Sequence, residues 1–209
     1  MVEPVTAFIA ALAENVIAQS EVALDGRREP GVRTQETNLG NLLADALLSS
    51  GQARAAEFGV DPPDVALQNG GGIRNNSLIP AGPLTQLTTF AVAPFPNFVS
   101  VVAVALKKKF KELLEHAVSR SPLADGRFAQ VAGFEFSYDA TRTAQVVTNE
   151  GIVLTPGDRV RSVVLDDGTV IVDNGVVVPG PGVSIVTNDF SARGGDQYPF
   201  RGRPFTTVG

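Results

Sequence analysis

The sequence contains no cysteine and a single histidine, and each scarcity excludes a class of site. Without cysteine the chain forms neither disulfides nor thiolate metal sites, although this absence does not fix the cellular compartment. One histidine, His116, argues against a transition-metal site built by this chain alone and against a proton shuttle of several histidines. Because His116 is isolated from other ligand types, we interpret it as a structural or surface residue. We therefore predict neither catalytic residues nor metal ligands in this chain.

Excess positive charge and long apolar runs are also lacking. The formal net charge of -5 in 209 residues argues against a protein that binds nucleic acid through a general basic surface, although a few local arginines can still hold one small anion. No apolar stretch is long enough to span a membrane. The N-terminus does not resemble a signal peptide, because Glu3 replaces the basic segment and Glu14 interrupts the apolar run.

Hydrophobic residues make up 44% of the chain, enough for the core of one globular domain. Two helices are predicted near the N-terminus from apolar residues at three-and-four spacing. The first covers residues 2–24, with the stripe Phe8, Ile9, Leu12, Val16 and Ile17. The second is capped by Thr37 or Asn38. Its predicted buried stripe is Leu39, Leu42, Leu43, Ala46 and Leu47.

The pattern changes along the rest of the chain. A strand over 99–105 is predicted to precede a helix over 106–118, with the apolar face Leu106, Phe110, Leu113, Leu114 and Ala117. The lysines at 107, 108, 109 and 111 are expected to form its solvated face. From residue 128 the period becomes two, and Asp166-Asp167-Gly168 between apolar runs predicts a hairpin. The expected fold is α+β, a single domain with a mixed β-sheet and flanking helices.

Two segments rich in glycine or arginine suit a phosphate. The run 68–74 contains three successive glycines and ends on Arg74, whose planar fork of donors matches a phosphate or carboxylate. We expect the glycines to adopt backbone angles closed to other residues and to leave their N–H groups open to a ligand, although a simple turn has the same composition. The loop 25–35 adds Arg27, Arg28 and Arg33.

Two further segments carry exposed aromatic candidates. Phe95 lies between Pro94 and Pro96, which fix the backbone and exclude a helix or an interior strand there. Phe190 follows the last predicted strand and precedes a glycine pair and Asp196. Two rings can hold a base at about 1–3 kcal/mol per stacking contact, and a carboxylate can accept from ribose hydroxyls. The four segments together therefore suit a nucleotide.

An ordered set of motifs between Val32 and Phe200 resembles the C-terminal domain of the 5'-nucleotidase family, which includes periplasmic UDP-sugar hydrolase and ecto-5'-nucleotidase. Besides the helix after Ala105, the motifs are Glu36-Thr-Asn-Leu-Gly-Asn-Leu42, Asn69-Gly-Gly-Gly-Ile-Arg74, Tyr138-Asp139, Gly157-Asp-Arg-Val160 and Asn188-Asp-Phe-Ser-Ala-Arg-Gly-Gly-Asp196. The ordered set is far more specific than any one of its members.

The resemblance implies a role for each matched residue at a substrate-binding site. Phe95 and Phe190 match the clamp around the base, Asn97 matches a side chain that hydrogen-bonds the base, and Asp196 matches the carboxylate that holds the ribose. The matched phosphate residues are Arg33 and Arg74, with Asn69, Gly71 and Gly72 beside them and either Arg27 or Arg28 as a further arginine. The departures from the family pattern, which bear on substrate choice, are Pro96, Arg193, and Gln197 where glycine is usual.

The family also has an N-terminal metallophosphoesterase domain whose His, Asp and Asn residues bind two divalent metal ions, and nothing here matches it. The resemblance therefore implies a piece of a longer protein, with residues 1–24 as an interdomain connector helix and 25–209 as the substrate-binding domain. The parent would be a periplasmic, cell-wall-associated or secreted hydrolase of nucleoside 5'-monophosphates, with UDP-sugars or 2',3'-cyclic nucleotides as further substrates. This chain alone would be inactive. The alternative is a free-standing module that binds nucleosides or nucleotides without catalysis.

Overall fold

A computed structural model describes residues 3–102, 106–200 and 202–209. The helices are α1 Glu3–Glu14, α2 Asn38–Arg54, α3 Gln86–Val92, α4 Lys107–Ala117 and α5 Asp189–Ala192. The strands in the first part of the chain are β1 Val16–Ser20, β2 Leu24–Asp25, β3 Val65–Asn69, β4 Leu78–Ile79, β5 Gly82–Thr85 and β6 Val99–Val102. The later strands are β7 Ala129–Ala132, β8 Phe134–Tyr138, β9 Val146–Val147, β10 Val153–Thr155, β11 Val160–Leu165, β12 Val170–Asp173, β13 Val176–Val177, β14 Ile185–Asn188 and β15 Phe205–Thr207.

A five-stranded mixed sheet forms the centre, in the order β15-β6-β14-β3-β7. Its β14 and β3 strands run parallel, and the other neighbours are antiparallel. Successive side chains of a strand point to opposite faces, so Val65 and Leu67 enter one core cluster and Ala66 the other. The two faces are covered by different helices. Helix α2 packs on the Ala66 side, and α4 packs on the Val65 side.

A four-stranded sheet, in the order β13-β12-β11-β8, shares the larger core cluster with α4. Its β11 and β12 strands form the antiparallel pair predicted around Asp166-Asp167-Gly168, and Gly168 has a φ of 87°. The hairpin is confirmed, and so is the α+β class with a mixed sheet and flanking helices. In the described part of the chain, no helix combines the length and apolar character needed to cross a bilayer.

Helix α2 turns a different face to the sheet than the leucine pattern predicts. Thr37 is the N-cap, as one of the two alternatives had it, and accepts from the Gly40 N–H at 3.0 Å. The buried residues are Leu39, Gly40, Ala44 and Gly51, whereas Leu42 and Ala46 are exposed. A Cβ on Gly40 would lie 2.1 Å from Oε1 of Gln130. Small residues therefore allow α2 to pack closely against the sheet. The prediction that Leu42 and Ala46 are buried is wrong.

The start of α4 also departs from expectation. Leu106 precedes the helix and is 72% exposed, while Lys107 is 5% exposed and donates from Nζ to the Val170 main-chain oxygen at 3.0 Å. Position 107 lies one turn before Phe110, so it shares the buried face of the helix. The prediction of a wholly solvated lysine run is therefore wrong at Lys107. In the strand predicted over 99–105, residues 103–105 lie outside the described residues.

The helix predicted over 2–24 is shorter in the structure. It ends at Glu14, and residues 16–20 form β1, which pairs antiparallel with β5. Three of the apolar side chains of α1, those of Val5, Phe8 and Ile9, are exposed. A continuous connector helix over 1–24 is thus corrected to a helix followed by a strand. The role of this segment between two domains stays a prediction.

Candidate functional site

The glycine loop leaves the central sheet at the end of β3 and forms a short 3-10 turn, Gly70–Gly72. None of these glycines has a positive φ, contrary to expectation. Glycine is needed here because neighbouring groups leave no room for a side chain. A Cβ on Gly70 would lie 2.1 Å from the main-chain oxygen of Val32. The N–H groups of Gly70 and Gly71 donate to the main-chain oxygens of Phe128 and Gly126 at 2.7 and 2.8 Å. These two donors are therefore used inside the protein.

Positive charge at the site comes instead from arginine side chains. Arg33 is partly buried, and its Nε atom is buried without a hydrogen-bond partner among the described residues. Burial lowers the pKa of Arg33, and the nearby charges of Arg28 and Arg74 lower it further, while Asp196 and Asp125 act in the opposite direction. Like charges held together in this way favour an anion between them.

The structure separates Arg27 from Arg28, which the sequence left as alternatives. Arg27 makes a two-point pair with Asp25, with Nε to Oδ1 at 3.0 Å and Nη2 to Oδ2 at 2.7 Å. Arg28 has a buried Nε without a partner in the described structure, and its charge acts on Arg33. Arg28 is therefore the one of the pair that is available to an anion near Arg33 and Arg74.

Two phenylalanine rings border the site from different segments. Phe95 is 48% exposed in the loop after α3, and Phe190 is 45% exposed in α5. The two segments are joined by a pair of hydrogen bonds, because the Phe98 N–H donates to Oδ1 of Asp189 and the Asp189 N–H donates to the Phe98 oxygen, both at 2.9 Å. The guanidinium carbon of Arg74 lies 5.5 Å from the Phe95 ring centroid. Both rings are therefore surface groups at the site and do not belong to the core.

Asp196 is held by a chain of side-chain amides. Asn188, the last residue of β14, donates from Nδ2 to Oδ1 of Asn69 at 2.9 Å, and Asn69 donates from Nδ2 to Oδ2 of Asp196 at 2.7 Å. Asn69 is only 2% exposed. Its amide is thus already engaged at both ends, so the side chain orients the Asp196 carboxylate.

The residues assigned to the substrate site from the resemblance surround one cavity of about 370 Å³, although they come from distant parts of the chain, but neither Arg27 nor Arg28 lines it. Its lining also includes Gly126, which sequence reasoning missed. A Cβ on Gly126 would lie 3.4 Å from the Gly71 Cα atom and 3.3 Å from Oδ2 of Asp196. A lone glycine in an Asp-Gly-Arg turn carries no signal of this role. The lining residues are Arg33, Asn69, Gly71, Gly72, Arg74, Phe95, Asn97, Gly126, Phe190 and Asp196.

The three departures from the family pattern, Pro96, Arg193 and Gln197, do not line the cavity. Gln197 has a φ of 63°, a left-handed conformation that favours glycine, and its Oε1 accepts from Nη2 of Arg127 at 3.1 Å. Arg193 pairs with Asp189 at 3.2 Å and lies over the Phe205 ring, and it does not line the cavity. Pro96 stands beside Phe95 and does not line the cavity either.

Two other motifs of the resemblance are structural. In the 157–160 motif, Arg159 donates from Nη1 to the main-chain oxygens of Val118, Ser119 and Ser121 at 2.7, 3.2 and 2.9 Å. In the 138–139 motif, the Tyr138 hydroxyl lies 3.0 Å from Oγ of Ser121. Both motifs therefore stabilise the chain that follows α4.

His116 is buried, so of the two interpretations, a structural or a surface residue, the structural one is correct. Burial, the main cause, lowers the pKa of His116 to about 4, and the nearby charge of Arg127 acts in the same direction. Among the described residues, no three His, Asp or Glu side chains come together in a way that could hold a metal ion.

Comparison with known proteins assigns the family. Residues 16–202 match the family described as 5'-nucleotidase, C-terminal domain. The chain belongs to this family. It is 35% identical over 182 residues to the trifunctional nucleotide phosphoesterase protein YfkN of Bacillus subtilis, covering 87% of this chain and 11% of that protein. It is 33% identical over 153 residues to the 5'-nucleotidase of Bos taurus, covering 69% of this chain and 23% of that protein.

The fold of this 5'-nucleotidase C-terminal domain agrees with a solved structure. The crystal structure of a 5'-nucleotidase precursor from Thermus thermophilus matches with a TM-score of 0.77 and 30% identity, covering 99% of this chain and 36% of that one. The family resemblance and the fold expected from it are confirmed. The chain spans less than a quarter of the length of the curated relatives above.

Proposed function

We propose that the cavity binds a nucleoside or a nucleoside 5'-monophosphate, and that this domain presents the nucleotide to the catalytic part of a 5'-nucleotidase-type phosphoric ester hydrolase. The observation that carries the proposal is the meeting, around one cavity, of two exposed aromatic rings, a carboxylate and the guanidinium groups of Arg33 and Arg74, of which Arg33 has a buried Nε without a partner among the described residues. These are the side chains that suit a base, a ribose and a phosphate respectively.

The arrangement supports a division of the ligand along the cavity. Phe95 and Phe190 offer flat apolar faces to a base, with Asn97 as a polar group in the same lining. Asp196 has one carboxylate oxygen on Asn69, which leaves acceptor capacity for ribose hydroxyls.

The phosphate end of the proposed site depends on side chains. The N–H groups of Gly70 and Gly71 are already hydrogen-bonded within the protein, so they are not free for a phosphate. The glycine loop contributes instead because it has no side chains and because it positions Arg74. A phosphate that contacts Arg33 and Arg74 would supply acceptors for guanidinium donors and reduce the repulsion among the neighbouring arginines.

The hydrolysis itself is proposed for the whole parent protein. Two divalent metal ions held by an N-terminal metallophosphoesterase domain would activate a water and stabilise the displacement at phosphorus. The lone histidine and the lack of cysteine in this sequence agree with that division of labour. UDP-sugars and 2',3'-cyclic nucleotides are proposed as further substrates of the parent, and a periplasmic, cell-wall-associated or secreted location is proposed for it.

Calorimetric titration of the purified chain with AMP, adenosine and glucose tests the binding proposal. We expect one molecule of AMP or adenosine to bind per chain, with AMP the tighter ligand, and no binding of glucose. The matched variants are Arg74→Ala, inside the cavity lining, and Arg54→Ala, on the surface beside Glu57 at 3.6 Å. Equal affinity of both variants for AMP, or no binding of AMP and adenosine to the native chain, would refute the proposal.

A phosphatase assay separates the domain from its parent. The chain alone, with added Mg²⁺, Mn²⁺ or Zn²⁺, is expected not to release phosphate from AMP, whereas the parent protein is expected to do so and to lose rate on Phe190→Ala. Turnover by the chain alone that is abolished by a substitution within it would contradict the division of labour. The free-standing binding module remains the alternative, and an inactive parent with intact AMP binding would favour it.

A further inference from the structure

His116 lies directly behind the turn that carries Asp196. Its side chain is fully buried, and Nε2 lies 2.8 Å from the main-chain oxygen of Asp196, eighty positions away in sequence. A carbonyl oxygen can only accept, so Nε2 must carry the proton. Nδ1 is also buried and has no hydrogen-bond partner among the described residues, so a second proton there would be uncompensated. The imidazole is therefore held as the neutral Nε2–H tautomer.

The turn behind which His116 lies has an unfavourable backbone conformation. Asp196 has a φ of 50° and a ψ of 22°, and the adjacent Gln197 has a φ of 63°. Two successive residues with side chains in the left-handed region cost free energy, and such conformations persist where surrounding contacts hold them. The carboxylate of Asp196 lines the cavity, so the shape of this turn decides, together with the hydrogen bond from Asn69, where that carboxylate points.

The contacts that hold the turn come from two sides. His116 binds the main chain of Asp196, while Arg127, anchored on Asp125 at 3.0 Å, donates to the Gln197 side chain at 3.1 Å. The His116 ring is itself fixed by an edge-to-face contact with Tyr198, with centroids 5.1 Å apart. The Tyr198 hydroxyl donates to the main-chain oxygen of Arg127. The imidazole thus has little freedom to tilt away from Asp196.

We propose that His116 is a positioning residue for ribose recognition, because its hydrogen bond to the main chain of Asp196 fixes the direction in which the Asp196 carboxylate meets ribose hydroxyls. The inference rests on the proposed function, since it requires a nucleoside in the cavity. It gives the single histidine of the chain a task that is neither catalysis nor metal binding.

The first test compares ligands with and without ribose hydroxyls. His116→Phe keeps a large ring but removes the donor, whereas His116→Gln keeps an amide donor near the position of Nε2. For His116→Phe we expect adenosine binding to weaken about tenfold, the loss of one hydrogen bond that orients a charged group, with adenine and 2',3'-dideoxyadenosine unchanged. His116→Gln should restore most of the adenosine affinity. Equal losses for adenosine and adenine would show a general structural role and overturn the inference.

A double-mutant cycle with Asp196→Ala sharpens this test. If His116 acts through Asp196, then His116→Phe should cause no further loss of adenosine affinity once the carboxylate is gone. Additive losses would overturn the inference. Adenosine affinity unchanged in His116→Phe would overturn it while leaving the proposed function intact. Failure of the native chain to bind adenosine would instead reject the proposed function, and the inference with it.

A second measurement needs no variant and so does not depend on whether His116→Phe folds. Because the chain has one histidine, nitrogen-15 NMR of labelled imidazole reports His116 without assignment. We expect a neutral Nε2–H tautomer at neutral pH, and a shift of the Nε2 signal on saturation with adenosine but not with inorganic phosphate. A neutral Nδ1–H tautomer would overturn the inference. So would an Nε2 signal that does not shift when calorimetry shows that adenosine is bound.

Discussion

The arginines of this domain fall into two groups that differ in what surrounds them. Arg159 is buried behind α4, and its Nη1 donates to three main-chain oxygens while its Nε donates to the Arg142 oxygen at 3.2 Å. Arg33, which lines the cavity, and Arg28, whose charge acts on Arg33, each keep a buried Nε without a partner in the described part of the chain. A guanidinium whose donors are used by the protein stabilises the fold, and one whose donors are unused favours binding an anion.

The reason for the difference lies in the neighbouring backbone. The main-chain oxygens that follow the last turn of a helix have no partner within the helix, and Arg159 supplies donors to three such groups after α4. At the cavity, the main-chain oxygens of Phe128 and Gly126 already accept from the N–H groups of Gly70 and Gly71. Among the described residues, the backbone offers no acceptor to the Nε of Arg33 or to the Nε of Arg28.

The largest expected effect tests the structural group. Arg159→Ala should lower the free energy of unfolding by at least about 3 kcal/mol, because several buried oxygens lose a charged donor, each worth about 1.5–3 kcal/mol. Urea denaturation followed by circular dichroism measures the change. Arg54→Ala, at an exposed ion pair, is the matched control and should change stability by less than about 0.5 kcal/mol. Equal losses of stability in Arg159→Ala and Arg54→Ala would contradict the assignment of Arg159 to the structural group.

The next effect concerns the ligand-binding group. Arg74→Ala should weaken AMP binding by about 1.5–3 kcal/mol, at least tenfold, and leave adenosine almost unaffected, because adenosine has no phosphate. Calorimetry with both ligands measures the difference, and the urea midpoint should stay unchanged. Equal losses for AMP and adenosine would place Arg74 away from the phosphate.

A somewhat smaller effect is expected from the aromatic rings. Phe95→Ala or Phe190→Ala should weaken adenosine and AMP alike by about 1–3 kcal/mol, since a stacking contact acts on the base. Stability should change little because both rings are about half exposed. Phe110→Ala, at a fully buried ring, is the matched control and should cost about 3–5 kcal/mol of stability. A loss of that size for Phe95→Ala would assign Phe95 to the core.

The smallest effect separates two neighbouring residues. Arg27→Ala should leave AMP affinity unchanged and cost less than about 1 kcal/mol of stability, because the Arg27 side chain is 48% exposed and its pair with Asp25 is screened by solvent. Arg28→Ala should weaken AMP binding several-fold without affecting adenosine. The two variants carry the same change in charge, so a general electrostatic effect would reduce AMP binding equally in both and would contradict the distinction.

Sequence patterns predicted the features that depend on nearby residues. The hairpin at 166–168 and the N-cap at Thr37 arise from local chemistry, which a short window contains. The ordered motifs identified the family, and the residues that the resemblance assigned to base, ribose and phosphate lie around one cavity, except for Arg27 and Arg28. Whether those residues bind a nucleotide stays a prediction for the titrations above.

Tertiary structure decided which of several similar residues serves which purpose. Lys107 is buried and Leu106 exposed, and the amide of Asn69 is used within the protein. Arg27 is paired with Asp25, whereas the Nε of Arg28 has no partner among the described residues. These outcomes depend on partners far away in the chain, which local periodicity does not contain. The contact between His116 and Asp196 spans eighty positions, and the exclusion of a Cβ at Gly70 comes from the main chain of Val32. Only the folded packing of distant segments brings such atoms together, and so only it determines which hydrogen-bonding groups are left for a ligand.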